Sequence, residues 1–334
     1  MKPIHTVAVA LTFLIAAPAL ADPVKLRFGH PAGPKTHVVS QMVIPWSERL
    51  TKASEGALEI TVFPAGQLGG NEVSLDAIKS GVQDIGWINT QYYPGKFNKS
   101  EVGLLPFEVN KSEHASIAMW HLFQTSLIAD EFADVKLLAI WAYPASTVHT
   151  TFPARRLEDF KGKKIATIGQ FASEVAKHLG ATPIAIEFTE NYPAIQRGTV
   201  NGTLLQWTAV QPLRLWEVAK YHTEAGVYGA VTMIAMNKSS YDKLPPKAKQ
   251  LIDASSGEKW SREWGQFWDR VDQEGRQDVR NQKDNSIFEL DAKELARWRS
   301  AIQPVTDDWI KKTPKGAELL KTFRSERDRA ASGK

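Results

Sequence analysis

The sequence predicts a two-domain α/β protein whose carboxyl-terminal third is almost wholly helical. Three observations carry that prediction. The 334 residues amount to about two domains at roughly 150 residues each. Strand-like and helix-like apolar periods alternate through the first two thirds, which implies βαβ units and largely parallel sheets. After Pro144 a stretch rich in Thr, Pro and Arg interrupts the alternation, and a fresh strand–helix series begins, as a second sheet requires.

The elements follow in order. VKLRFGH (24–30) alternates apolar and polar residues and ends in a Pro/Gly loop. In 37–54, Val39, Val43, Trp46 and Leu50 recur on one helical face. ALEITVFP (57–64) is a second strand, closed by the turn AGQLGG. The segment 72–81 is a helix stopped by Gly81, and 83–89 is a third strand. A helix over 112–127 and a strand over 135–144 complete the first series. The second runs strand 163–168, helix 171–179, strand TPIAIEF (182–188), helix 191–198 and strand VNGTLLQW (200–207). One more strand spans 231–238. From Pro246 to about Asn281, Trp260, Trp264, Phe267, Trp268 and Val271 keep helical spacing, which marks a buried helix face. A further helix covers KELARWRSAIQPVTDDWIKK (293–312), and the tail RSERDRAASGK (324–334) is expected to fray.

Residues 1–21 read as a secretory signal. One Lys precedes an apolar run from Val7 to Ala17, and Ala19-Leu20-Ala21 supplies the small-residue cleavage pattern. The run is too short to span a bilayer, so cleavage after Ala21 and release into a periplasm are expected. With no cysteine in the chain, disulfides, thiol catalysis and Cys-ligated metals are excluded. The net charge of +4 is spread over 41 basic and 37 acidic residues without a basic run, so nucleic acid is not an expected partner.

Enzyme signatures are missing: there is no Gly-x-Ser-x-Gly elbow, no phosphate loop and no Gly-x-Gly-x-x-Gly after a strand. The His residues make no metal-ligand spacing, although His30, His37 and His149 lie near strand ends. No catalytic residue, metal or cofactor is therefore expected. Two sheets facing each other across a cleft make a hinged clamp for a small solute. Ligands bind at the carboxyl ends of strands in such sheets, which nominates His30, Trp87, Tyr92, Trp141, Tyr143 and Trp207.

At this point the chain resembles the periplasmic solute-binding proteins of TRAP transporters, the DctP-type family. The residues that carry the resemblance are ITVFPAGQLGG (60–70), AIKSGVQDIGW (77–87), LEDFKGKKI (157–165), LGATPIAIEFTENYPAIQRGTVNG (179–202) and LPPKAKQLI (244–252). The resemblance implies a periplasmic-binding-protein (Venus-flytrap) fold with a long carboxyl-terminal helix spanning both domains. It implies domain I over 22–148 and about 229–275, domain II over 149–228 and about 276–334, and the ligand cleft between them. The expected partners are a small solute and a membrane permease of small and large subunits, the receptor itself being a monomer. A periplasmic enzyme or a sensor ectodomain on a similar scaffold is the alternative.

One departure bears on the ligand. Family members typically carry Lys-Ile-Arg where this chain has Lys164-Ile165-Ala166, and that Arg forks onto the ligand carboxylate. Relatives are often uncharged where this chain has Glu187. Two readings follow. The ligand is an organic acid held by other donors, with Arg155, Arg156, Lys35 or a backbone amide nest as replacements. Or it is a neutral or cationic solute, such as an amine or amino alcohol, whose ammonium pairs with a buried Glu187.

Overall fold

The computed structural model describes residues 22–333, so the expected signal segment and its cleavage point lie outside the described residues. The strands are β1 Val24–Gly29, β2 Leu58–Phe63, β3 Ile85–Asn89, β4 Val135–Ala142, β5 Thr147–Thr150, β6 Lys164–Thr167, β7 Thr182–Ala185, β8 Gly202–Leu205, β9 Tyr221–Glu224, β10 Val231–Asn237 and β11 Ser286–Glu289. They form two sheets, ordered β2-β1-β3-β10-β4 in lobe I and β11-β9-β5-β8-β6-β7 in lobe II.

The helices are α1 Ile44–Ala53, α2 Ser74–Lys79, α3 Ser112–Gln124, α4 Gly169–His178, α5 Asn191–Gln196 and α6 Val210–Leu213 in the first two thirds. They continue with α7 Lys238–Asp242, α8 Pro246–Ala254, α9 Glu258–Arg280, α10 Ala292–Lys312 and α11 Gly316–Ala331. Among the described residues no helix is long and apolar enough to cross a membrane.

Both sheets are mixed rather than largely parallel. β1 pairs in parallel with β2 and β3, but β10 runs antiparallel to both β3 and β4. In lobe II, β5 is antiparallel to β8 and β9. The reason is the way the chain changes lobe. It leaves by β4 to β5 and returns by β9 to β10, each time as extended chain without a helical crossover. The two crossing segments pair with each other: Tyr143 N–H donates to the Ala230 carbonyl (2.8 Å) and Ser146 N–H to the Tyr228 carbonyl (2.8 Å).

Two helices also bridge the lobes. The stretch read as one helix from Pro246 is broken at Gly257, whose φ of +85° no helix allows. Beyond the break, α9 puts Trp260, Trp264, Phe267, Trp268 and Val271 into the lobe I core and Val279 into the lobe II core. Between them Gly275 lies against Trp207, where an added Cβ would meet the Trp207 carbonyl at 2.2 Å. Helix α10 makes the reverse passage: Trp298, Ile302 and Val305 are buried in lobe II, and Trp309 in lobe I.

The sequence reading places all of 276–334 in the second domain. In the structure Trp309 and α11 pack on lobe I instead, because Leu319, Leu320 and Phe323 of α11 complete the core against α3. The tail does not fray at 324 either. Arg324 and Arg327 both bind the Glu108 carboxylate, Arg327 at 3.0 Å, and the helix continues to Ala331.

Candidate functional site

The carboxyl ends of β1, β3 and β4 bring four of the nominated residues into one aromatic wall on lobe I. His30 lies 4.5 Å from Trp87 and Trp87 4.9 Å from Trp141, ring centre to ring centre. Trp141 stacks on Trp264 of α9 (4.4 Å), and Tyr143 packs on Trp268 (4.5 Å). Edge-on and offset pairs of this kind each add about 0.5–1.5 kcal/mol beyond the area they bury.

The wall carries polar hydrogens with nowhere to go inside the protein. His30 is 1% exposed. Its Nδ1 accepts from the Ala32 N–H (3.0 Å), so the ring proton sits on Nε2, which has no partner among the described residues. Burial holds His30 neutral, with its pKa lowered to about 3. The indole N–H groups of Trp141, Trp264 and Trp268 are likewise unpartnered among the described residues. Leaving a buried donor unsatisfied costs about 1–3 kcal/mol, so such a cluster favours an acceptor brought from outside.

A set of uncharged polar side chains that the sequence reading did not nominate lies in lobe II, in the crossing segments and at the Gln91 contact between the lobes. Gln206 donates from Nε2 to the Ser146 hydroxyl (3.0 Å), and the Tyr228 hydroxyl donates to the Leu204 carbonyl (2.8 Å). Burial pushes the Tyr228 phenol up to about 12. Gln91 of lobe I reaches across and donates to the Ile168 carbonyl of lobe II (3.1 Å). The approach is close because Gly169 follows: an added Cβ there would meet the Gln91 carbonyl oxygen at 3.0 Å, and its φ of +77° suits glycine. Gln91 and Gln206 each stand next to a nominated aromatic. Ser146 and Tyr228 lie in the two crossing segments, which have no pattern of their own.

The remaining nominated residues are placed differently. Ala166 is fully buried, packed with Ala194, Trp207 and Val210 in the interior of lobe II. Trp207 is 3% exposed and its indole N–H donates inward to Glu224 (3.1 Å), which also binds Arg276 of α9 through two nitrogens. Glu187 is exposed, and its Oε2 accepts from the Tyr92 hydroxyl across the lobes (3.2 Å). The buried, unpaired carboxylate that called for a cationic ligand is therefore not what the fold presents. His149 is spent within the protein, its Nδ1 2.7 Å from Nδ1 of His222 and its Nε2 on the Leu205 carbonyl (3.1 Å).

Of the suggested replacements for the Arg, one is committed elsewhere and none is seen at the wall. Arg155 lies over the Phe288 ring (3.9 Å), on the outer strand of sheet II. The backbone N–H groups of Arg155 and Arg156 cap Asp159, and Lys35 is exposed. A carboxyl group that is not an acceptor for Arg does occur at the junction. Asp272 of α9 is pushed up to about 8, first by burial and then by Asp269, with the backbone N–H groups of Trp207 and Thr208 facing it. Among the described residues no cluster of His, Asp and Glu could hold a metal ion.

A family model described as bacterial extracellular solute-binding protein, family 7, matches residues 28–313. The C4-dicarboxylate-binding periplasmic protein DctP of Rhodobacter capsulatus is 25% identical over 95% of each chain. Among solved structures, a TRAP solute-binding protein of Rhodoferax ferrireducens in complex with copurified benzoate is 30% identical. It superposes with a TM-score of 0.86 over 92% of this chain and 99% of its own. A marine-metagenome TRAP solute-binding protein specific for aromatic acid ligands, solved with 3-hydroxybenzoate, is 27% identical, with a TM-score of 0.87 over 92% and 99%.

Proposed function

Because the chain belongs to the bacterial extracellular solute-binding proteins of family 7, the solute receptors of TRAP transporters, we propose that it captures a small aromatic acid between its lobes and delivers it to a membrane permease. The carrying observation is the aromatic wall (His30, Trp87, Trp141, Tyr143) with its unpartnered polar hydrogens; an uncharged polar set (Gln91, Ser146, Gln206, Tyr228) is proposed to close on it from the other side. The wall suits a flat ring. The carboxylate is received by neutral donors: the unpartnered His30 Nε2–H, the indole N–H groups and the Gln amides. Hydrogen bonds from neutral donors to a charged acceptor are worth about 1.5–3 kcal/mol each, so two or three can stand in for one guanidinium fork. The relatives solved with benzoate and with 3-hydroxybenzoate support the same class of ligand. The bound acid is released unchanged.

Calorimetric titration of the protein with benzoate, 3-hydroxybenzoate, succinate and a small amine tests this reading. Aromatic acids are expected to bind most tightly, and Gln206→Ala to weaken them about tenfold, the size of one lost hydrogen bond to a charged group. Binding of the amine or of succinate in preference to every aromatic acid would overturn it.

A further inference from the structure

A cavity of about 440 Å³ adjoins the Gln91–Gly169 contact, and both residues line it. Its walls come from both lobes: the turn Ser100–Leu104 of lobe I, the first two turns of α4 in lobe II, and α10 beyond Pro304. Helix α10 is fastened there by the Trp309 indole, which donates to the Asn98 carbonyl (2.8 Å). Phe171 of α4 packs against the cores of both lobes.

The group that stands out in this cavity is Glu101. Its carboxylate is largely withdrawn from water and makes no hydrogen bond or ion pair among the described residues. Three lysines in the surrounding elements pair with other acids. Lys99 holds both oxygens of Asp130 at 2.8 Å, Lys177 pairs with Glu174 at 2.7 Å, and Lys312 pairs with Asp308 at 3.4 Å. His178 is exposed, and Glu131, behind Glu101, adds a second negative charge. Burial and Glu131 together push Glu101 up to about 7. Phe171 and Trp309 line the same space, and aromatic faces attract cations.

We propose that this cavity is a second binding site, for the ammonium group of a small organic amine, with Glu101 as its anionic anchor and Phe171 and Trp309 as its aromatic walls. Since lobe I and lobe II each contribute a wall, an occupant bridges them and favours the closed arrangement. The site shares only Gln91 with the residues proposed above to receive the aromatic acid.

Butylammonium is the probe, titrated calorimetrically into solute-free protein, with butanol and butyrate as neutral and anionic controls. Butylammonium is expected to bind and the controls not to. A cation beside Glu101 favours its charged form, so binding at pH 6 should release protons, seen as a heat that varies with the ionisation enthalpy of the buffer. Affinity should rise as the pH passes through about 7. Glu101→Gln should weaken the amine at least tenfold and leave benzoate titrations unchanged. Undiminished binding by Glu101→Gln, or no proton release from the unmodified protein, would overturn the proposal. So would loss of the amine in Gln206→Ala, which would assign it to the proposed aromatic-acid site. A failure of benzoate to bind would refute the aromatic-acid reading alone.

Discussion

An arginine at position 166 would have to be accommodated by Ala194, Trp207 and Val210, the side chains among which Ala166 is buried. Restoring the family residue should therefore not restore a carboxylate clamp. Ala166→Arg is expected to destabilise the fold by about 3 kcal/mol, the scale for an uncompensated buried charge, measured by urea unfolding, with no gain in acid affinity. The absence of an Arg is plain in Lys164-Ile165-Ala166, where the resemblance implies one. Its replacement could not be read, because Gln, Ser and Tyr become a site only through the contacts that the fold gives them, with no spacing to announce it. Titrating groups behave similarly. His30 and His222 are lowered by burial to about 3 and about 4, and His149 is lowered as well. Below their unfolded value of 6.5 the unfolded chain binds protons that the folded one refuses, so stability falls as pH drops. Asp272 and Glu101 work the other way: raised to about 8 and about 7, they stay protonated in the folded protein and cost stability as pH rises to those values. Asp272→Asn should flatten the decline between pH 7 and 8, measured as melting temperature against pH.

The elements that the sequence displayed are those with a period to display. β1, β2, β3, β4, β6, β8 and β10 carry alternating or continuous apolar letters, and the aromatic face of α9 was plain from its spacing. β5, β9 and β11 read TVHT, YHTE and SIFE: each has four residues and too few apolar positions to alternate. They exist because sheet II supplies ladder partners, as where His149 stands between Thr203 and His222 in register. The break at Gly257 was legible only as a glycine within a helical pattern, since glycine is tolerated there at about 1 kcal/mol. Pro304 is the complementary case, a proline retained inside α10. It falls between Ile302, buried in lobe II, and Trp309, buried in lobe I, where a helix that follows both lobes has to bend. Pro304→Ala is expected to raise the melting temperature by restoring a helical hydrogen bond. It should also narrow the difference in radius of gyration between solute-free and solute-bound protein in small-angle scattering.

At the scale of the molecule, the two-sheet clamp was legible and its wiring only in part. The restart of the strand–helix alternation after Pro144 announced a second sheet. The resemblance implied changes of lobe near 148, 228 and 275 and a long helix spanning both domains; no letter pattern announced the further crossing by α10 or that α11 would end on lobe I. Those facts depend on contacts between segments far apart in sequence, such as Arg327 with Glu108. The wiring has a consequence for the order in which the chain can fold. β10 lies between β3 and β4, so sheet I has a gap at its centre until residues 231–237 have been made. A chain that emerges amino-terminus first therefore synthesises most of lobe II before lobe I can close its core. Such long-range pairing is slow. A nascent chain kept open in this way stays pliable until late in its synthesis.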